Sequence, residues 1–299
     1  MPELPEVETI VRGLARRITG DTITSVWIGS RSQPLKSPPA EIAKTLEGAR
    51  IAGIHRAGKH IVIELVAPPT RQGPQTARFS RDGVARRLSR GRSAPVSTNS
   101  PSTQFVVHLG MTGRLVVCPP ATEPAKYTHL IAALASGREL HFIDPRMFGR
   151  LSVHAASFDP GGVEPLQVSE ERFIALFRGR KTPIKSALLN QKLLRGVGNI
   201  YADESLFRAG IRPRRRAATI TRSQLARLNK SVREVLREAI KLGGSSISDY
   251  VDAGGEEGFF QLRHRVYGRE GEPCLVCKTP IRRVSLAGRS SHYCPNCQK

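Results

Sequence analysis

The chain has 299 residues and 39% hydrophobic content, enough to bury a sizeable core and to divide into roughly two domains. No run of about 18 apolar residues occurs, which excludes a membrane-spanning helix. The polar, proline-bearing start from Met1 to Glu8 is no secretory signal, so the mature chain is expected to begin at or next to Met1, in the cytoplasm. Lys and Arg number 47 against 25 Asp and Glu, a net charge of +22 that points to a polyanion. Nucleic acid is favoured over an anionic membrane, because no strong basic amphipathic helix is evident.

Val7, Ile10, Val11 and Leu14 recur at helical spacing, and Gly20 closes that segment. Strand-like runs follow at 23–28, 49–55, 60–66, 104–109, 113–117, 129–134, 140–143 and 150–153. Short strands separated by Gly, Pro and Ser turns suggest a β-sandwich or barrel. From about Ser169 the pattern is helical. Its apolar stripes are Phe173, Ile174, Leu176 and Phe177; then Leu188, Leu189, Leu193 and Leu194; then Leu225 to Ile240, stopped by Gly243-Gly244. From about Phe259 strand character returns. The expected class is α+β, with an N-terminal helix and sandwich (1–165), a helical domain (166–258) and a C-terminal hairpin (259–299). Within the first of these, Pro68 to Thr103 is rich in Arg, Ser, Pro, Gln and Thr and poor in apolar residues. A mobile basic loop is expected there, serving either as extra phosphate contact or as a tolerated surface insertion.

Four of the five cysteines lie near the C-terminus. Cys274 and Cys277, then sixteen residues, then Cys294 and Cys297 give the spacing of a closed four-thiolate zinc site, structural and not catalytic. Arg282, Arg283, Arg289 and His292 lie between the pairs, where a rigid cationic hairpin would suit a DNA groove. Cys118, alone in an apolar run, reads as a small buried hydrophobe. A Pro after Met commonly becomes the first residue, which would make Pro2 a free secondary amine. An α-amino group has a pKa near 8, so more of it is neutral and nucleophilic than of a lysine. By itself this start is no catalyst signal.

The combination of motifs resembles the formamidopyrimidine-DNA glycosylase family. Met1-Pro2-Glu3-Leu4-Pro5-Glu6-Val7-Glu8 is similar to its opening, and Ala57-Gly58-Lys59-His60 to its lysine turn. His108 to Leu115 resembles its intercalation loop, and Asp144 to Arg150 its second wedge loop. Gln191 to Pro213 resembles its helix–two-turn–helix, and Val266 to Cys274 its approach to the zinc finger. Gly288-Arg289-Ser290-Ser291 precedes the second cysteine pair, as in the family. The similarity covers nearly the whole chain outside Pro68–Thr103.

It implies base excision repair of damaged double-stranded DNA by a glycosylase that is also an AP lyase, acting on oxidised purines such as 8-oxoguanine. Pro2 would attack C1′, Glu3 would act as acid–base group, Lys59 would bind phosphate and assist β-elimination, and Arg289 would assist δ-elimination. Met111, Arg146 and Phe148 would fill the hole left by the flipped base. Asn199, with backbone amides of its turn, would hold a phosphate, and Arg180, Lys181 and Lys185 would extend that track. Residues 249–260 resemble the segment that closes over the extruded base. Met147 stands where an arginine is common, and Tyr127 where histidine is common; a tyrosine there can still bind phosphate. One zinc ion and a monomer are expected, since one copy contains every part. The rivals are an endonuclease VIII type acting on oxidised pyrimidines, and a noncatalytic zinc protein that only binds DNA.

Overall fold

The computed structural model describes residues 1–67, 103–246, 253–254 and 256–299. Of the basic stretch 68–103 all but Thr103 lies outside them, and of the glycine-rich stretch 249–260 residues 249–252 and 255 do. The first helix, α1 (Leu4–Ile18), starts on Pro5 in its first turn and ends on Arg16 and Arg17, placing positive charge at the negative end of its dipole. Its apolar side splits. Leu4 packs among the C-terminal helices, whereas Val7, Ile10, Val11, Leu14 and Ile18 pack into the sandwich core.

That core lies between two four-stranded antiparallel sheets. One has the order β1–β6–β7–β5, from Ile23–Ile28, Thr128–Leu134, Glu139–Ile143 and Arg114–Cys118. The other runs β2–β3–β4–β8, from Arg50–Ala57, His60–Val66, Thr103–His108 and Arg150–His154. Period-2 patterning put one face of each sheet inward, and Ile51, Ile61, Ile63, Phe105, Val107, Leu130 and Phe142 meet there. Helix α2 (Pro39–Leu46), two turns long and burying only Ile42 and Leu46, escaped the sequence reading. Strand was expected from about Phe259, but Phe260–Arg263 is a 3-10 turn and the first strand beyond it is Arg282–Leu286.

The helices α3 (Glu170–Phe177), α4 (Ile184–Leu188), α5 (Asn199–Ala209) and α6 (Arg222–Lys241) form a second cluster around Phe173, Phe177, Leu188, Tyr201, Leu206, Leu228 and Leu236. The stripe from Leu188 to Leu194 is not one helix. Helix α4 ends at Leu188, and the chain turns through Asn190, whose carbonyl accepts from Leu193 and Leu194 amides. Strands β9 (Arg282–Leu286) and β10 (Arg289–Tyr293) make the C-terminal hairpin. Its two-residue turn, Ala287-Gly288, has positive φ at both positions, as the twist of a tight hairpin requires. Among the described residues no helix is long and apolar enough to cross a membrane.

Arg56 ties α1, β2 and the start of the helical part together. Its guanidinium is 7% exposed, donates two parallel bonds to Glu164 (3.0 and 2.8 Å) and a third to Glu8 (2.9 Å). Arg56→Ala takes a buried cation from two partly buried carboxylates at once, leaving Glu8 with Arg12 alone and Glu164 with Arg195 alone. It should lower the unfolding free energy by about 3 kcal/mol, read from the shift of the urea midpoint at unchanged slope.

Candidate active site and metal centre

Glu3 caps the junction of the two cores. It is 3% exposed, and its carboxylate accepts from the backbone amides of Ile200 (3.0 Å) and Tyr201 (3.5 Å) at the start of α5. Only glycine fits beside it: a Cβ on Gly198 would lie 2.3 Å from the Glu3 carboxyl carbon. The Glu3 amide donates to Glu6 at 2.8 Å, and Glu6 accepts from the Tyr201 hydroxyl and from the Ser245 amide (2.8 Å). Burial pushes the Glu3 carboxyl up to about 7, opposed by Lys59 and reinforced by Glu6. Burial likewise raises Glu6 above the usual carboxylate range.

Lys59 sits in the two-residue turn between β2 and β3, whose register pairs Ala57 with His60. That turn aims the side chain inward, leaving it 8% exposed. Burial lowers its pKa, Glu3 raises it and Arg289 lowers it further. These groups line one cavity of about 430 Å³, together with Met1, His108, Met111, Gln191, Asn199, Tyr267 and Arg289. The terminal amine of Met1 is held there with its pKa lowered, chiefly by burial. Pro2, next along, is buried. Gln191 braces the wall: its amide donates to the Leu189 and Val197 carbonyls and its oxygen accepts from Gly196. Sequence reading assigned Gln191 no role, because a glutamine bonded to backbone leaves no pattern.

Met111 and Phe148 are exposed, at 42% and 53%, on adjoining loops, not packed in the core. The Arg146 guanidinium lies 4.9 Å from the centre of the Phe148 ring. Tyr127 stands nearby, its carbonyl accepting from the Asp144 amide and its ring flanked by Arg31 and Lys126 at 5.7 and 5.6 Å. Arg180 is exposed at the turn after α3, outside the cavity lining, and its side chain bonds the Leu176 carbonyl.

Several expectations change. The α5 amides proposed for phosphate are taken by Glu3. Asn199 does line the cavity, and its side-chain NH2 donates to Ser290. Lys185 belongs to no surface track: it is 1% exposed and pairs with Asp203 at 2.7 Å while donating to the Ser290 carbonyl. Its charge was legible; its buried partner was not. His292 is not a groove-facing cation either, because its amide and ring both meet Asp203. Cys118 is half-buried rather than buried.

The four C-terminal sulfurs converge, all within 4.8 Å of one another, with Cys274–Cys297 at 3.9 Å and Cys277–Cys294 at 3.4 Å. A tetrahedral ion with bonds of about 2.3 Å would set neighbouring sulfurs about 3.8 Å apart, so the thiols present fit zinc. Lys185, Asp203 and Asn199 tie β10 to α4 and α5, which fixes where the hairpin carries Arg289.

Family models match along the chain: a formamidopyrimidine-DNA glycosylase N-terminal domain over 1–151, the H2TH domain of the same glycosylases over 162–251, and a zinc finger found in FPG and IleRS over 271–299. The chain belongs to the formamidopyrimidine-DNA glycosylase family. The glycosylase of that name from Solibacter usitatus is 43% identical over 303 residues, covering all of both chains. A Lactococcus lactis Fpg variant, solved with Fapy-dG-containing DNA, superposes with a TM-score of 0.81 at 31% identity over the full length of both chains. Thermus thermophilus MutM (Fpg) gives 0.77 at 36% identity, over 99% of this chain and 98% of its own.

The raised Glu3 pKa has a measurable sign. Between its ordinary 4.5 and about 7, Glu3 holds more proton folded than unfolded, so its contribution to stability falls as pH rises through that window. A gap of 2.5 pH units at about 1.4 kcal/mol each gives about 3 kcal/mol. Glu3→Gln should therefore gain stability relative to the parent chain from pH 4.5 to 7 and run parallel to it above. A difference that stays flat across the window would show a carboxyl of ordinary acidity.

Proposed function

We propose that this family member is a bifunctional DNA glycosylase and AP lyase that excises oxidised purines, 8-oxoguanine and formamidopyrimidines, from duplex DNA. The observation that carries the reading is the single cavity in which the chain start, a carboxyl of pKa about 7, a buried lysine and an exposed arginine face one another. Its volume suits one extruded base. The Fapy-dG-containing DNA in the Lactococcus lactis complex supports the substrate class.

Once Met1 is removed, the Pro2 nitrogen becomes the terminal amine. The desolvation that lowers the Met1 amine there would keep Pro2 neutral and nucleophilic. Pro2 attacks C1′, the C1′–N bond breaks, and the electron pair leaves with the base, which takes up a proton. Glu3 in its protonated form gives a proton to O4′ as the sugar ring opens, leaving an iminium between Pro2 and C1′. Loss of the C2′ proton then expels the 3′ phosphate, and a second elimination expels the 5′ phosphate. Lys59 and Arg289 are the cations placed to hold those phosphates. Hydrolysis of the iminium frees Pro2 and leaves a one-nucleotide gap with phosphate at both ends.

Met111 and Phe148 fill the space vacated by the base, and Arg146 donates to the acceptor edge of the orphaned cytosine. Tyr127, with Arg31 and Lys126 beside it, and the exposed Arg180 meet backbone phosphates, while Asn199 orders the cavity wall through Ser290. One structural zinc, held by Cys274, Cys277, Cys294 and Cys297, keeps the Arg289 hairpin rigid. The chain acts as a monomer in the cytoplasm, drawn to the nucleoid through DNA.

Borohydride reduction during turnover tests the chemistry. A duplex carrying 8-oxoguanine opposite cytosine should trap the protein covalently, with peptide mapping on Pro2. Trapping only on a thymine-glycol duplex would move the activity to oxidised pyrimidines, and tight binding without trapping would leave a DNA-binding protein. Separately, stripping the metal with a chelator should release one equivalent of zinc and weaken DNA binding at least tenfold, with recovery on adding zinc back. A metal-free protein that binds and cleaves normally would overturn the zinc assignment.

A further inference from the structure

The two loops that carry Met111 and Phe148 share one buried anchor. Asp144 is 0% exposed. Its Oδ1 accepts from the Thr112 hydroxyl at 2.7 Å and from the Arg146 amide at 3.3 Å, and its Oδ2 accepts from the Gly149 amide at 2.7 Å. One carboxylate thus holds both ends of the Arg146–Phe148 turn and, through Thr112, the Met111 turn. The main chain of Asp144 is fixed in the same way: its amide donates to Tyr127, and its carbonyl accepts from the buried His129 ring at 2.9 Å. From the opposite side, the Gly110 amide donates to the His108 ring nitrogen at 3.1 Å. Gly110 has φ +64°, and a Cβ there would stand 2.5 Å from the Phe148 carbonyl carbon, so the two loops touch backbone to backbone.

We propose that Asp144 is a positioning residue that makes Met111, Arg146 and Phe148 one rigid wedge, so that the hole left by the extruded base is filled by all three at once. The inference rests on the glycosylase reading above. Exposed apolar side chains on independent loops would fold back or splay, and each would enter the stack alone. A buried carboxylate with three donors is expensive to leave partly bonded, so it holds the spacing more firmly than an apolar contact would. The wedge then reaches the duplex already assembled, and its ordering cost is met in folding rather than on binding DNA.

The test contrasts two duplexes carrying the same 8-oxoguanine in single-turnover excision. In one the lesion is paired with cytosine. In the other it lies opposite a one-nucleotide gap, where stacking is already broken and no base is orphaned. Asp144→Asn should slow excision at least tenfold on the paired duplex and less than twofold on the gapped one. Thr112→Val keeps the carboxylate and breaks only the link to the Met111 loop; it should show the same contrast at about threefold, which covers the case in which Asp144→Asn fails to fold. Equal slowing on both duplexes, or none on either, for a folded variant would overturn the proposal. A parent chain that excises from neither duplex would instead sink the glycosylase reading.

Discussion

The Glu3 carboxylate on the first amides of α5 is the contact on which the rest of the site depends. A helix start carries unpaired amides and a partial positive charge, and here the chain's own third residue occupies it. That seat brings the chain start against the helical cluster while the remainder of α1 stays in the sandwich core. Two cores that share a helix in this way cannot drift apart without unburying Leu4 on one side or Val7 and Ile10 on the other. The cavity forms at the seam, so its walls come from both cores: Lys59 from a sandwich hairpin, Gln191 from the turn between α4 and α5, Asn199 from the start of α5, Arg289 from the C-terminal hairpin.

The electrostatics of the seam follow from that placement. Burial disfavours the charge on four of its groups, raising Glu3 and Glu6 and lowering Lys59 and the terminal amine. Each group is thereby moved toward neutrality at pH 7, the range in which a proton can be given and taken back with least cost. His108, also in the cavity wall, is held down at about 4, mainly by burial, so it stays neutral and free to accept the Gly110 amide.

Much of this was legible in the sequence, for identifiable reasons. All eight sandwich strands show as short apolar runs between turn residues, and the cysteine spacing specifies the metal site. What stayed hidden was pairing. Lys185 and His292 read as cations available to phosphate because their common partner, Asp203, lies on another element; only the fold brings them together. The α5 start read as an anion site, which it is, but the anion is Glu3, 197 residues away in sequence. Helix α2 begins on prolines and buries two side chains, too little periodicity to register. Asp144 was visible only as the first residue of a motif, and its role depends on distances no spacing encodes.

The arrangement is a poor one for stability and a good one for catalysis. A folded chain gains nothing from keeping Glu3 buried and partly protonated, from desolvating Lys59, or from holding Phe148 and Met111 in water. Such features persist where function requires them and the surrounding structure supplies the offset. Here the offset is visible in the joints beside the seam. Arg56 satisfies Glu8 and Glu164 at once, Lys185 closes on Asp203, and Glu204 takes the amides of Arg265, Val266 and Tyr267 at 2.9–3.0 Å. Each of these joins two different elements around the cavity. The charges that stabilise the fold are paired within it, whereas Lys59 and Arg289, which face the cavity, form no ion pair among the described residues. A ligand that brings its own negative charge would complete that second set, in keeping with the proposed DNA substrate.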